Sequence, residues 1–328
     1  MSHDSQAPGA AERPPANRLG LDYRDAPARR VAGRIVDVHA HVYDCATTDT
    51  FFEAFALYGL TRVVSMSPVE QAAGLKARYG ERIDFIAVPR WRNMSSEEAF
   101  RTQWLRDLET FRELGATRMK FWMAPPMRER HGLTLMDPFF EPVIRHALDL
   151  GYHFMTHIGD PSEWWRPGGK YANASLYGTK RDQYPQLEWL LERVAPRTVI
   201  GAHMGGSIEE PEFLNRLLER YPNYFLDTSA TKWIVRGVAR QPSLVRQLVI
   251  RHADRILFGS DLVVDAKYDF DHYASRYWCH QQMWETRYRG ESPIEDPDAD
   301  DPPRLAGIDL PDDVLRRIYD ENPAKLGY

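Results

Sequence analysis

Eight short runs of apolar and β-branched residues recur along this chain, each followed by a stretch with helical spacing. They are Ile35–Val42, Thr61–Ser67, Ile83–Arg90, Thr117–Met123, His153–Gly159, Thr198–Gly205, Tyr224–Ala230 and Ile256–Val263. Strands that alternate with helices lie parallel, because a parallel neighbour is reached only through a long crossover. Eight such units over roughly 250–300 residues match a closed (β/α)8 TIM barrel, whose chain is typically ~250 residues. An open doubly wound sheet competes, but no Gly-rich phosphate loop follows the first run. The expected fold is therefore α/β, a TIM barrel over residues 33–328 preceded by a flexible arm, 1–32. That arm, rich in Ala, Pro, Arg and Asp, is expected to be mobile or to strap across a neighbour.

Helix signals punctuate the intervals. Ser95 with Glu98 suggests a capping box, and Gly115 a stop. Asp137-Pro138 reads as an N-cap with proline at the first helical position, closed by Gly151. Segments Asp182–Val194, Glu209–Tyr221 and Gln241–His252 carry apolar residues three and four apart. A long insertion at about 264–307 interrupts the pattern. It holds an expected helix, Tyr268–Tyr288, and an acidic, Pro-rich stretch, Glu291–Pro303. Loops of that length are commonly lids or interfaces, and its aromatic residues are compatible with a homodimer.

Composition narrows the partners. A net charge of -5 and a pI near 6.1 oppose a nucleic-acid footprint, which needs a basic face. No run approaches the ~20 apolar residues of a membrane span. Cys45 and Cys279 set neither a metal-finger spacing nor a disulfide framework, so a cytoplasmic location is expected. The expected partner is a small-molecule substrate.

Working residues of such barrels sit at the C-terminal ends of strands. The first run reads Asp37-Val38-His39-Ala40-His41, and strand alternation turns both histidines and Asp37 inward. The fifth ends in His157, the sixth in His203, the eighth in Asp261, and the fourth carries Lys120. A lone inward histidine is most often a hydrogen-bonded core residue. Three or four imidazoles and a carboxylate buried together are costly without a cation to share. Imidazoles with a carboxylate suit Zn²⁺ first, with Mn²⁺ or Fe²⁺ as alternatives. Lys120 either pairs with Asp37 or Asp261, or is carboxylated to bridge a second ion. One ion is expected rather than two. The remaining histidines read as structural, with His131 and His272 in loops that could reach the mouth.

With these residues assembled, the chain resembles the amidohydrolase superfamily, in particular the amidohydrolase-related branch that includes aminocarboxymuconate semialdehyde decarboxylase. The resemblance runs from about Arg34 to the closing Glu321-Asn322-Pro323-Ala324-Lys325-Leu326. It rests on Asp37-Val38-His39-Ala40-His41, Ala202-His203-Met204-Gly205-Gly206 and Phe258-Gly259-Ser260-Asp261. It implies His39, His41, His157 and Asp261 as metal ligands, and His203 as a catalytic histidine or second-metal ligand. Lys120 lies in a stretch similar to the carboxylated-lysine strand of hydantoinase-like members.

The chemistry implied is hydrolysis of a small carbonyl compound, an amide or lactone, by a water whose pKa a cation lowers from 15.7 to roughly 7. Asp261 would carry the proton and His203 would orient or polarise. The alternative is metal-dependent, non-oxidative decarboxylation of a small unsaturated or aromatic acid. Loops after the strands are rich in Trp and Arg, which suit a ring-bearing organic acid. Arg90, Trp122, Trp164, Arg166 and Trp233 are the expected substrate contacts.

Overall fold

The structure, a computed structural model, describes residues 14–328. Each apolar run forms a strand that lies between two neighbours. They are β1 (Val36–Val42), β2 (Arg62–Ser65), β3 (Ile83–Ala87), β4 (Arg118–Trp122), β5 (His153–His157), β6 (Val199–Gly201), β7 (Tyr224–Asp227), β8 (Ile256–Leu257) and β9 (Leu262–Val264). All pair in parallel, in the order β8-β7-β6-β5-β4-β3-β2-β1-β9. The last two are halves of one interrupted strand. β8 bonds β7 and β9 bonds β1, and the seam is stitched by Val38 N to Phe258 O (2.9 Å) and Asp261 N to His39 O (2.7 Å). The ring therefore closes as an eight-fold (β/α) barrel.

Several strands stop short of the apolar runs that signal them, and the stops mark the site. The sixth run ends as strand at Gly201, because His203 and Met204 take left-handed backbone with φ of 59° and 50°. The eighth breaks at Gly259-Ser260-Asp261, where Asp261 has φ 59°. Such conformations cost a non-glycine residue roughly 1–2 kcal/mol. Here they are held by hydrogen bonds, His203 N to Asp227 Oδ1 (2.9 Å) and Asp261 N to His39 O (2.7 Å). Gly206 (φ 68°) lies in the same turn. A Cβ there would collide with the Gly159 carbonyl, so only glycine lets this loop approach β5.

Outside the ring, the helices follow their signals. Asp137 caps a single turn, accepting from Phe139 N (3.0 Å), that runs into helix Glu141–Asp149, and Gly151 follows at φ 80°. Helix Glu98–Glu113 stops before Gly115 (φ 90°), but starts without the capping box. Ser95 Oγ accepts from Glu97 N (3.3 Å), one position too early. Helices Pro185–Arg193, Pro211–Arg220 and Pro242–Arg251 each open on proline, whose fixed φ suits a first turn.

The segment at 264–307 is mostly ordered. Asp269 caps helix Phe270–Glu285, which buries Tyr273, Tyr277 and Trp284, and a short antiparallel pair, Arg289–Glu291 with Arg304–Ala306, follows. Of the expected arm, residues 1–13 lie outside the described residues. Residues 14–32 form a strap over this same helix. Tyr23 is buried, Asn17 donates to Asp271 (2.9 Å), and Arg29 pairs with Glu285 (2.6 Å). Among the described residues, no helix is long and apolar enough to cross a membrane.

Two histidines away from the barrel mouth accept hydrogen bonds that require a neutral ring. His153 Nδ1 accepts from Thr198 N (3.0 Å), and His280 Nδ1 accepts from Trp284 Nε1 (3.1 Å). Burial holds His153 down to about 4 and His280 to about 3, from an ordinary 6.5. The unfolded chain therefore takes up protons first as the pH falls. Stability present above pH 6.5 is lost below it, at about 1.4 kcal/mol for each pH unit between the unfolded and folded pKa values. Partly open to water, His153 contributes less than that scale suggests. In urea titrations with chelator present, His153→Gln should lose about 1 kcal/mol less stability between pH 7 and pH 5 than the parent. Equal losses would show that His153 is not held neutral.

Candidate metal centre

Six strand ends, those of β1, β4, β5, β6, β7 and β8, converge at the barrel mouth. β1 supplies His39 and His41. The break after β8 supplies Asp261, whose left-handed backbone turns its carboxylate back over β1. Oδ1 of Asp261 lies 3.3 Å from His39 Nε2 and 3.2 Å from His41 Nε2. Ligands about 2.0–2.1 Å from a tetrahedral Zn²⁺ stand about 3.3–3.4 Å from one another, so these separations are of the right size. His39 is fully buried, whereas His41 and Asp261 keep 22% and 28% of their side chains open to the mouth, leaving a face for a substrate.

A second layer orients the first. His39 Nδ1 donates to Asp227 Oδ2 (2.7 Å), which leaves the Nε2 lone pair for the cluster. The other oxygen of Asp227 accepts from Ser229 Oγ and from His203 N. His203 Nδ1 meets Ser229 Oγ at 2.7 Å, and its Nε2 faces His157 Nδ1 at 3.1 Å. His157 Nε2 donates to Asp160 Oδ1 (2.8 Å), whose second oxygen accepts from Tyr171 (2.8 Å). Two groups of ligand atoms are close enough to share a cation: His39, His41 and Asp261, and His39, His203 and Asp227. His157 lies beside them, against His203.

Lys120 pairs with neither Asp37 nor Asp261. Its Nζ stands 2.9 Å from His39 Nε2. The carboxylate of Asp37 is taken up elsewhere, accepting from His39 N, Ser260 N and Ser260 Oγ at 2.6–3.1 Å.

The electrostatics favour a cation. Burial lowers Lys120 toward its neutral form. Burial works against the charge of Asp261 and Asp227, but the imidazoles facing them outweigh it, and both stay below the usual carboxylate range. Burial and Lys120 oppose charge on His39, which Asp227 and Asp261 nevertheless raise. Burial lowers His41, and lowers His203 well below its ordinary value. Two ionised carboxylates facing His39, beside His41 and His203, which burial drives toward the neutral form, make a donor set that fits a divalent ion.

These groups floor a cavity of about 400 Å³ whose walls include Met66, Met94, Trp122, Met127 and Trp233, with Arg130 and His131 at its rim. Of the expected substrate contacts, Trp122 and Trp233 line it. Arg90 does not. Its guanidinium donates twice to Asp107 (2.9 and 3.1 Å) and borders a separate hollow. Trp164 stands behind Trp233, with ring centres 5.2 Å apart, and donates to Asp298 (3.0 Å). Arg166 is exposed and lines none of the described cavities. Asp227, Ser229 and Asp160 were not among the expected site residues. Asp227 had a usable signal, a carboxylate closing the apolar run Tyr224–Asp227 at a strand's C-terminal end.

The amidohydrolase family profile matches residues 12–326, nearly the whole chain. The chain belongs to the amidohydrolase family. Among solved structures, it is similar in fold to a probable 2-pyrone-4,6-dicarboxylic acid hydrolase from Acinetobacter baumannii, crystallised with citric acid bound. That match has a TM-score of 0.53 and 14% identity, covering 90% of this chain and 99% of that one. A 4-oxalomesaconate hydratase from Rhodopseudomonas palustris matches with a TM-score of 0.53 and 13% identity over 89% and 95% of the two chains. A TatD homologue from Escherichia coli K12 gives 0.51 and 13% over 89% and 97%. No curated protein matches. Members of the amidohydrolase family are generally enzymes dependent on a divalent metal, and this chain carries a cluster able to hold one.

Replacing an outer partner of a metal-binding histidine typically costs 10–100-fold in metal affinity. Asp227→Asn should therefore release bound metal to a competing chelator about 10–100 times more readily than the parent, while Asp261→Ala should be purified with little or none. Unchanged release from Asp227→Asn would separate that carboxylate from the centre.

Proposed function

We propose that this enzyme hydrolyses a small, ring-bearing carbonyl compound, a lactone or cyclic amide of an organic acid. The observation that carries the reading is the single carboxylate oxygen of Asp261, shared at 3.2 and 3.3 Å by two imidazoles on the floor of an apolar-walled cavity. One divalent ion, Zn²⁺ foremost, would be held by His39, His41 and Asp261, with His157 or His203 nearby. When bound, it supplies Lewis acidity to a carbonyl and lowers the pKa of water.

The chain's own groups do the rest. Asp261, ionised and partly open to the cavity, accepts the proton of the attacking water at its free oxygen and returns it to the leaving oxygen or nitrogen. His203, kept neutral by burial, donates from Nδ1 to Ser229 Oγ, so the lone pair of its Nε2 accepts a hydrogen bond from the attacking water and orients it. Trp122 and Trp233 offer flat faces to a ring, and the methionines beside them adapt to its outline.

A second reading, non-oxidative decarboxylation, draws support from the same apolar walls, because shielding from water favours loss of CO₂ and leaves His203 or Asp261 to protonate the carbon.

Protein purified without chelator should contain about one metal equivalent per chain and consume base in a pH-stat with ring lactones bearing a carboxylate. Asp261→Asn should reduce turnover by ~10²–10⁴-fold, the range for a positioned acid–base group. CO₂ release without base uptake would replace hydrolysis by the second reading. A protein that neither contains nor accepts Zn²⁺ or Mn²⁺ would remove both.

A further inference from the structure

Trp233 divides the barrel mouth. On one side lies the cavity described above. On the other is a hollow of about 250 Å³ lined by Lys232, Trp233, Asp261, Tyr268, His272 and Arg276. Asp261 and Trp233 border both. Among the described residues, and apart from Asp261, whose charge is turned to the imidazoles of β1, the second hollow has no acidic lining residue and two cations, Lys232 and Arg276, beside His272, which burial keeps neutral.

Neither Lys232 nor Arg276 forms an ion pair with a described carboxylate, although Asp269 acts on Arg276 and Asp296, Glu295 and Asp298 on Lys232 from farther away. Lys232 makes no hydrogen bond or ion pair with any described residue. The acidic side chains nearest in charge to it, beside the exposed Glu295, are engaged elsewhere. Asp296 pairs with Arg236, and Asp298 accepts from Trp164 Nε1 (3.0 Å). Arg276 donates to the His272 carbonyl (3.1 Å) and to Ser275 Oγ (2.9 Å), and no described carboxylate pairs with it. His272 stacks on Tyr268, ring centres 3.5 Å apart. Burial lowers Arg276 and Lys232, and Arg276 lowers Lys232 further. Two sheltered cations that repel each other are costly unless an anion joins them. Arginine's fork and lysine's point charge together suit a carboxylate.

We propose that this hollow is a carboxylate-binding subsite, in which Arg276 and Lys232 hold an acid group of the substrate while its ring lies across Trp233 toward Asp261. It rests on Asp261 being the place of reaction, and it assigns the acid group to Arg276 of the 264–307 segment and to Lys232 in the first turn of the helix after β7, Thr231–Arg240, rather than to Arg130 or Arg90.

The test is calorimetric titration of the full chain, as purified, with benzoate and with benzamide, which has the same ring without the charge. Benzoate should bind at least tenfold more tightly, and the difference should shrink at high salt. Arg276→Gln and Lys232→Gln should each weaken benzoate about tenfold, and Arg276→Lys should recover part of it. Lys232 is half-buried and lies at the hollow's edge, so its variant remains informative if Arg276→Gln fails to fold. Equal binding of benzamide, or unchanged affinity in both glutamine variants, would overturn the proposal. So would loss of benzoate binding on chelation, or a tenfold loss confined to Arg130→Gln. Absence of lactone turnover would defeat the hydrolase reading and leave this titration standing.

Discussion

One buried carboxylate joins the first strand of this barrel to its last. Asp37, fully buried, accepts from His39 N on β1, from Ser260 N and Oγ in the break after β8, and weakly from Tyr277 (3.3 Å). A carboxylate with that many donors cannot be released cheaply, since each orphaned buried donor costs ~1–3 kcal/mol. Burial pushes its pKa up to about 6, against the hydrogen bonds from Ser260 and His39, which favour the charged form. Because Asp37 fixes the seam, it also fixes the register in which His39, His41 and Asp261 meet. The contact at 3.2–3.3 Å among those three depends on where the ring closes.

From the seam outward, polar groups form one connected set: Asp227 and Ser229 of the seventh unit, His203 of the sixth, His157 and Asp160 of the fifth, Lys120 of the fourth. All but Asp160, which bonds within its own unit, meet a neighbour from another strand, so a change at one is felt at the next. This accounts for four non-glycine residues in left-handed backbone, His203, Met204, Ala230 and Asp261, clustering at one end of the barrel. Strain of that kind survives where surrounding hydrogen bonds over-determine it.

The ring of strands was legible because a parallel, doubly covered sheet demands continuous apolar runs, and the signal repeats eight times. His39, His41, His203 and Asp261 were legible as polar residues interrupting those runs at their ends. Asp227 obeyed the same rule, yet as a lone carboxylate it resembles a turn residue. Arg90 illustrates the opposite failure. A cation near a strand end looks available until the helix beside it supplies Asp107, seventeen positions on, and no local pattern announces that pairing. The partner of Lys120 was hidden for the same reason, since contacts across a barrel depend on register and closure. The residues of 14–32 look like a mobile arm in composition, but Tyr23 and Arg29 find their partners on helix Phe270–Glu285.

Trp233 keeps two hollows apart while Asp261 touches both. The groups that face the reacting bond come from strand ends and are locked to one another across the ring. Of the groups beyond Trp233, His272 and Arg276 belong to helix Phe270–Glu285, outside the ring of strands. Chemistry and choice of substrate thus reside in parts of the chain that can vary separately: replacing the segment after β9 would hand the same catalytic floor to a different acid, or to none.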